Sequence, residues 1–369
     1  MKREENTDEF KKNIDCNDEL KSKEQNEPLP QKKRKVIAKV LLILFLVALF
    51  AYLCFSDNGL IEFLQNPSKI DIGWLIMAFF CQIINIAIDA ILVYKFINTD
   101  KKIKLSQSIT CSLIGQFFSA ITPSATGGQP MQVYAMSKRG IAAGTTTSAL
   151  TQKFVVFQTS LIGYCILAIL LRIDYFNSLN KIVYSLLIIG FLSQALIALG
   201  LIIVSFNKKI TNKFISIIIN FFKKFKIFKK HEEKIEKFQQ QVEIFYQGNQ
   251  RLYKNKYLVL ETYVLTAIQL TATFIIPYCV YRSFGFSGER ASDMISAQAF
   301  ITMAASLFPV PGASGATEGA SSIFLSPFFD ETSIKSAVVL TRLITYYFTI
   351  IISAPISLWW RRAAKKVSN

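Results

Sequence analysis

The feature that most constrains this chain is the length of its apolar runs. Residues 37–55, 72–97, 145–171, 182–206, 257–281 and 334–360 are each at least 19 residues long and dominated by Leu, Ile, Val, Phe and Ala. About 20 helical residues cross the roughly 30 Å hydrocarbon layer of a bilayer. In that layer a helix satisfies its own backbone polar groups, so repeated runs of this length predict an all-α polytopic membrane protein. Composition agrees: 51% of the 369 residues are hydrophobic.

The net charge of +17 fits either a nucleic-acid binder or a membrane protein with basic loops, and position decides between them. Segments 1–39, 95–104, 138–139, 207–256 and 361–366 hold 34 of the 42 Lys and Arg. Segments 56–71, 172–181, 282–294 and 330–335 hold six. Basic residues collect on the cytoplasmic side. The asymmetry therefore orients six full spans in a cell membrane with both termini cytoplasmic, and no nucleic-acid partner is expected.

Two further apolar stretches, 105–136 and 295–329, are interrupted by Pro and Gly. If the first crossed fully, Lys138, Arg139 and the basic segment 207–256 would all lie outside. It is therefore expected to dip in from the cytoplasm and return, and the second to dip in from the opposite face. The first stretch contains Pro123-Ser-Ala-Thr-Gly-Gly-Gln129 and the second Pro311-Gly-Ala-Ser-Gly-Ala-Thr-Glu318. Both fit P-x-A-[ST]-G-[GA], and each sits between two long spans. Halves 36–206 and 257–360 thus read as an inverted-topology repeat with two re-entrant segments, an arrangement associated with transporters.

Pro and Gly let the backbone leave helical geometry, which at membrane depth is tolerated only inside protein or beside a wet cavity. Half-helix N-termini there present N–H groups to anions. The candidate lipid-binding residues are Pro123, Ser124, Thr126, Gly127, Gly128 and Gln129 in the first loop. In the second they are Pro309, Pro311, Gly312, Ser314, Gly315, Thr317 and Glu318. Close helix packing by small residues is the competing explanation. Charges within spans are costly unless paired or wet, which adds Lys153, Arg342 and Asp89. Arg139 stands at the cytoplasmic entrance, where it either meets lipid phosphate or enforces topology.

Outside the spans, residues 1–35 are polar and mixed in charge, the composition of a disordered tail. Segment 207–256 reads as a cytoplasmic insert. Its stretch 210–230 interleaves Phe and Ile with Lys at helical spacing, as a helix lying on an anionic inner leaflet would. A second amphipathic pattern follows at Ile235, Phe238, Val242 and Phe245, and 361–369 is a short basic tail. The lone histidine, His231, excludes multi-His metal chemistry. The six cysteines form no CxxC pair and read as small buried hydrophobes. No P-loop, metal or cofactor motif is present.

The segments Ile121-Thr-Pro-Ser-Ala-Thr-Gly-Gly-Gln-Pro-Met-Gln-Val-Tyr134, Lys138-Arg139-Gly140 and Phe308-Pro-Val-Pro-Gly-Ala-Ser-Gly-Ala-Thr-Glu-Gly319 resemble the lysylphosphatidylglycerol synthase transmembrane region. This is the flippase-like domain of the multiple peptide resistance factor and its stand-alone relatives. The resemblance covers about 37–360. It implies translocation of a lipid between leaflets: aminoacylated phosphatidylglycerol, another phospholipid or a polyprenyl-phosphate lipid. Through the resistance factor it also implies a link to antibiotic resistance. The chain ends nine residues after Trp360, so a stand-alone member without the synthase domain is expected. Gln129 stands where some members carry an acid, so a carboxylate is expected in the second loop alone. The alternatives are the membrane component of a phosphatidylglycerol lysyltransferase or aminoacyl-lipid synthesis system needing a separate catalytic partner, and a non-transporting envelope scaffold; the protein partner expected is a separate synthase or a second copy of the chain.

Overall fold

The computed structural model describes residues 71–171, 181–207, 232–308 and 310–366. The expected span at 37–55, the tail 1–35, the pattern at 210–230, His231 and Pro309 lie outside these residues. Those described form helices and turns, with no strand.

In chain order the helices are α1 (Ile72–Asn98), α2 (Leu105–Ala120), α3 (Gly128–Ser137), α4 (Ala143–Leu171), α5 (Lys181–Phe206), α6 (Glu232–Lys254), α7 (Lys256–Phe274), α8 (Ile276–Ser283), α9 (Ala291–Ala305), α10 (Ala316–Leu325), α11 (Ser333–Arg342) and α12 (Phe348–Lys366). Pro277 bends the helix between α7 and α8 without ending it, since Ile275 stays helical and Cys279 N–H still reaches the Ile275 carbonyl. A π-helical turn, Leu343–Tyr347, joins α11 to α12.

Five helices are long and apolar enough to cross a membrane: Ile72–Asn98, Ala143–Leu171, Leu187–Ser205, Lys256–Ser283 and Ser333–Trp360. They coincide with five of the six expected spans. Their outward faces carry Ile76, Phe80, Leu170, Leu171, Leu196 and Ile351, all well exposed. An apolar belt of this extent suits hydrocarbon, not water. The chain is a multi-pass membrane protein.

The two interrupted stretches form helical hairpins. The helix α2 has 16 residues and α3 has ten, so at 1.5 Å per residue even α2 is only about 24 Å long. The helices α9 and α10 repeat the pattern with 15 and ten residues. Each hairpin packs against the long helices on either side of it in sequence. Small residues close the first hairpin. A Cβ on Gly115 would strike Gln132, and one on Gly128 would strike Ser119. Gln132 in turn donates to the Cys111 carbonyl at 3.2 Å, tying α3 to α2.

The amphipathic pattern after His231 folds as α6 and lies against α4. Gly144 N–H donates to Gln241 Oε1 at 2.8 Å, and Gln152 donates to Asn249 at 3.1 Å. Tyr246 hydroxyl donates to the Asn207 carbonyl at 3.0 Å, and Arg251 pairs with Asp100 at 3.3 Å. This part of the insert is a strut across the ends of α1, α4 and α5. Cys81, Cys111, Cys165 and Cys279 are buried free thiols, as expected of small hydrophobes.

Candidate functional site

Both hairpins break at matching turns. Pro123–Ala125 and Pro311–Ala313 are single 3-10 turns that touch each other. Ser124 and Ala125 have φ of 49° and 55°; Gly312 and Ala313 have 60° and 50°. Three of these four are non-glycine residues in the left-handed region, where a Cβ costs about 1 kcal/mol or more. Strain repeated at corresponding positions marks a backbone held in place by its surroundings.

The second turn is held by charge. Arg342 Nε donates to Glu318 Oε1 at 2.9 Å. Its Nη2 donates to the Gly312 carbonyl at 3.0 Å and to Ser314 Oγ at 3.4 Å. Glu318 Oε2 accepts from Gly315 N–H at 2.6 Å and so caps α10. The guanidinium lies over the Tyr346 ring, 4.6 Å from its centre. That ring also covers Gly312, and its hydroxyl donates to the Ala120 carbonyl at 2.9 Å, joining the second half to the end of α2.

A second ion pair belongs to the first half. Lys153 Nζ on α4 is 2.5 Å from Asp89 Oδ1 on α1. Ser112 Oγ donates to Asp89 Oδ2, and Gln116 Nε2 donates to Ser112 Oγ at 3.3 Å. All four embedded charges therefore resolve as two pairs. Asp89 and Lys153 line a cavity of about 570 Å³ beside the first turn, with Ser124, Thr126, Gln129 and Gln269 in its wall. The cavity wall does not include Glu318 or Arg342.

The model of the lysylphosphatidylglycerol synthase transmembrane region matches residues 36–353. The chain belongs to this family. A UPF0104 membrane protein of Archaeoglobus fulgidus is similar, 25% identical over 255 residues that cover 69% of this chain and 76% of the relative.

Within this family member, the residues expected at the site separate into three groups. Ser124, Thr126, Gln129 and Lys153 face the cavity. Pro311, Gly312, Ser314, Gly315, Glu318 and Arg342 build the charged turn. Others among the described residues act in packing: Pro123 opens the first turn, Thr317 hydroxyl donates back to the Ala313 carbonyl at 3.1 Å, and Gly127 N–H donates to Thr122 Oγ1 at 2.9 Å. A Cβ on Gly127 would strike Thr122. Arg139 donates to the Gln107 carbonyl at 3.0 Å and so closes the base of the first hairpin, away from the cavity.

Sequence reasoning missed a polar ladder. Gln269 Nε2 donates to Asn85 Oδ1 at 2.9 Å, and Asn85 Nδ2 donates to Gln82 Oε1 at 3.5 Å. Gln82 Nε2 donates to Thr349 Oγ1 at 2.7 Å and to the Thr345 carbonyl at 3.1 Å, inside the π-helical turn. A π turn widens the ladder of a helix and leaves a carbonyl open to a side chain. The ladder runs from the cavity wall to the turn that follows Arg342. Its signal was available: Gln82, Asn85 and Asp89 recur at i, i+3 and i+7, one face of an apolar span. Ser112, Gln116 and Ser119, at i, i+4 and i+7, likewise share one face of α2.

Proposed function

We propose that this protein moves a phospholipid between the leaflets of the cell membrane, with its termini cytoplasmic and its two hairpins re-entrant from opposite faces. The observation that carries this reading is the cavity beside the first Pro turn, which holds a partly accessible ion pair carried by two membrane-spanning helices. Charge inside a span is costly unless it is paired, wet or used. The cavity lining combines this pair with polar side chains and with Leu92, Leu150, Phe154 and Phe157. The polar groups offer a head group its contacts, and the apolar ones suit acyl chains. The two halves repeat one architecture, which provides two bodies that rock against each other at the turns.

Leaflet exchange of tail-labelled phospholipids in vesicles tests this. Vesicles carrying the protein should lose outer-leaflet asymmetry faster than protein-free vesicles, and Lys153→Gln should slow exchange about tenfold, a barrier change of roughly 1.4 kcal/mol. Protein-free rates from the wild-type protein would refute the reading.

The family's description favours a second reading, a membrane component of lysylphosphatidylglycerol synthesis with a separate catalytic partner. Lipid extracts of a deletion strain separate the two. Loss of an aminoacylated lipid supports synthesis; unchanged composition with altered surface exposure supports translocation.

A further inference from the structure

We infer that the cavity selects a compact zwitterionic phospholipid head group, one ammonium beside one phosphate, which exchanges partners with the Asp89–Lys153 pair. This rests on the translocation reading. Among the described residues, Asp89 and Lys153 are the two charged members of the cavity wall, one of each sign. Their side chains are 14% and 19% exposed, and both face the cavity.

Taking one member of a buried pair away from its partner leaves an uncompensated charge, which is strongly unfavourable. A purely anionic head group would engage Lys153 and leave Asp89 facing a second negative charge. A head group with two ammonium groups and one phosphate would leave one ammonium without a carboxylate. A single ammonium with a single phosphate replaces both partners at once and keeps every charge matched.

The surroundings supply matching polar groups on each side. Beside Asp89, the hydrogen-bond chain from Gln116 through Ser112 fixes the Gln116 amide with its nitrogen toward Ser112. The Gln116 Oε1 atom is then buried with no partner among the described residues. Gln116 lies in the same wall as Asp89, so a rotation of its amide would bring this second acceptor to an ammonium arriving there. The same wall includes Lys153 with Ser124 and Gln129 at the entry to α3. That helix has no acidic residue in its first turn; Gly127 N–H is taken by Thr122 Oγ1 and Pro130 has none, so the N–H groups of Gly128 and Gln129 and the helix dipole are what favour a phosphate there.

The experiment measures lipid retention and leaflet exchange on the same full-length preparation, using phosphatidylethanolamine, phosphatidylglycerol and a polyprenyl monophosphate as probes. Native mass spectrometry should show phosphatidylethanolamine retained about tenfold over either anionic lipid, a difference of roughly 1.4 kcal/mol. Asp89→Asn should reverse the preference toward the anionic lipids, Asp89→Glu should keep it, and Asp89→Asn with Lys153→Gln should abolish it. Equal or stronger retention of an anionic lipid by the wild type would overturn the inference, as would an unchanged ratio in Asp89→Asn. Exchange without preference overturns this inference alone. Preference without exchange overturns the translocation reading and leaves the charge matching intact.

Discussion

Pro123-Ser124-Ala125 and Pro311-Gly312-Ala313 make the same turn, yet their neighbourhoods differ. In the second hairpin the third residue of α10 is Glu318, which caps Gly315 and binds Arg342. The matching residue of α3 is Pro130, which has neither a charge nor an N–H. There a neutral threonine, Thr122, takes the Gly127 N–H instead. The cation of the first half, Lys153, pairs away from its turn and borders the cavity. One half has placed its charge in the framework and the other beside open space. A shared backbone thus carries two different tasks: anchoring in the second half and, in the proposed function, contact with lipid in the first.

Removing each cation is the sharpest test of that division. Arg342→Met leaves Glu318 unpaired and strips the Gly312 carbonyl and Ser314 of a donor. The expected loss of stability is about 3–5 kcal/mol, read as thermal unfolding of the purified protein in detergent. Lys153→Met also leaves a carboxylate without its cation, but it removes one donor bond against three for Arg342, and Asp89 keeps Ser112 and borders a cavity that can admit water, so about 1.5–3 kcal/mol is expected. Equal losses would break the distinction between framework and site.

The turn position itself gives the next contrast. Gly312→Ala drives a Cβ into the Tyr346 ring and should cost about 1–3 kcal/mol. Ser124 occupies the same left-handed position with a side chain already present, so Ser124→Ala should stay within about 0.5 kcal/mol. The same thermal assay reads both, and matching costs would mean the two turns are packed alike.

Five spans were legible because run length reports on a solvent, the bilayer, whose demand is one-dimensional. The paired turns were legible because Pro and Gly act locally. What stayed hidden was partnership across the fold. Lys153 and Asp89 are 64 residues apart and Arg342 and Glu318 are 24 apart. Periodicity places each residue on a face without saying which face it meets. The packing of α6 on α4 was hidden for the same reason, since an amphipathic helix looks alike whether it covers lipid or protein.

Tyr346 joins the two halves that the comparison separates. Tyr346→Phe keeps the ring over Gly312 and under Arg342 and removes the donor to the Ala120 carbonyl. About 0.5–1.5 kcal/mol of stability should be lost. Hydrogen exchange across residues 119–126 should quicken while the second turn, around 311–315, stays protected. Equal loss of protection in both turns would show that the hydroxyl holds the anchored half as well.

The smallest effect is expected where the two cation-bearing segments begin. The helix α11, leading to Arg342, starts under Asp330, whose Oδ1 accepts from Ser333 N–H at 2.9 Å and from Thr332 hydroxyl at 3.2 Å. Hydrogen bonds from Ser333, with that from Thr332, hold this carboxyl below its ordinary value in an exposed loop outside the spans. A lowered folded-state value means the stabilisation is present above the unfolded carboxylate range and is lost as pH falls through the lowered value. The helix α4, leading to Lys153, starts instead with Gly144 donating to the neutral amide of Gln241, which does not titrate. Acid should therefore loosen residues 333–336 and spare 143–146, read as hydrogen exchange corrected for intrinsic rates. Asp330→Asn should flatten the acid response of the first segment without touching the second. Acid loosening of both starts alike would mean that the response comes from the bundle as a whole and not from Asp330.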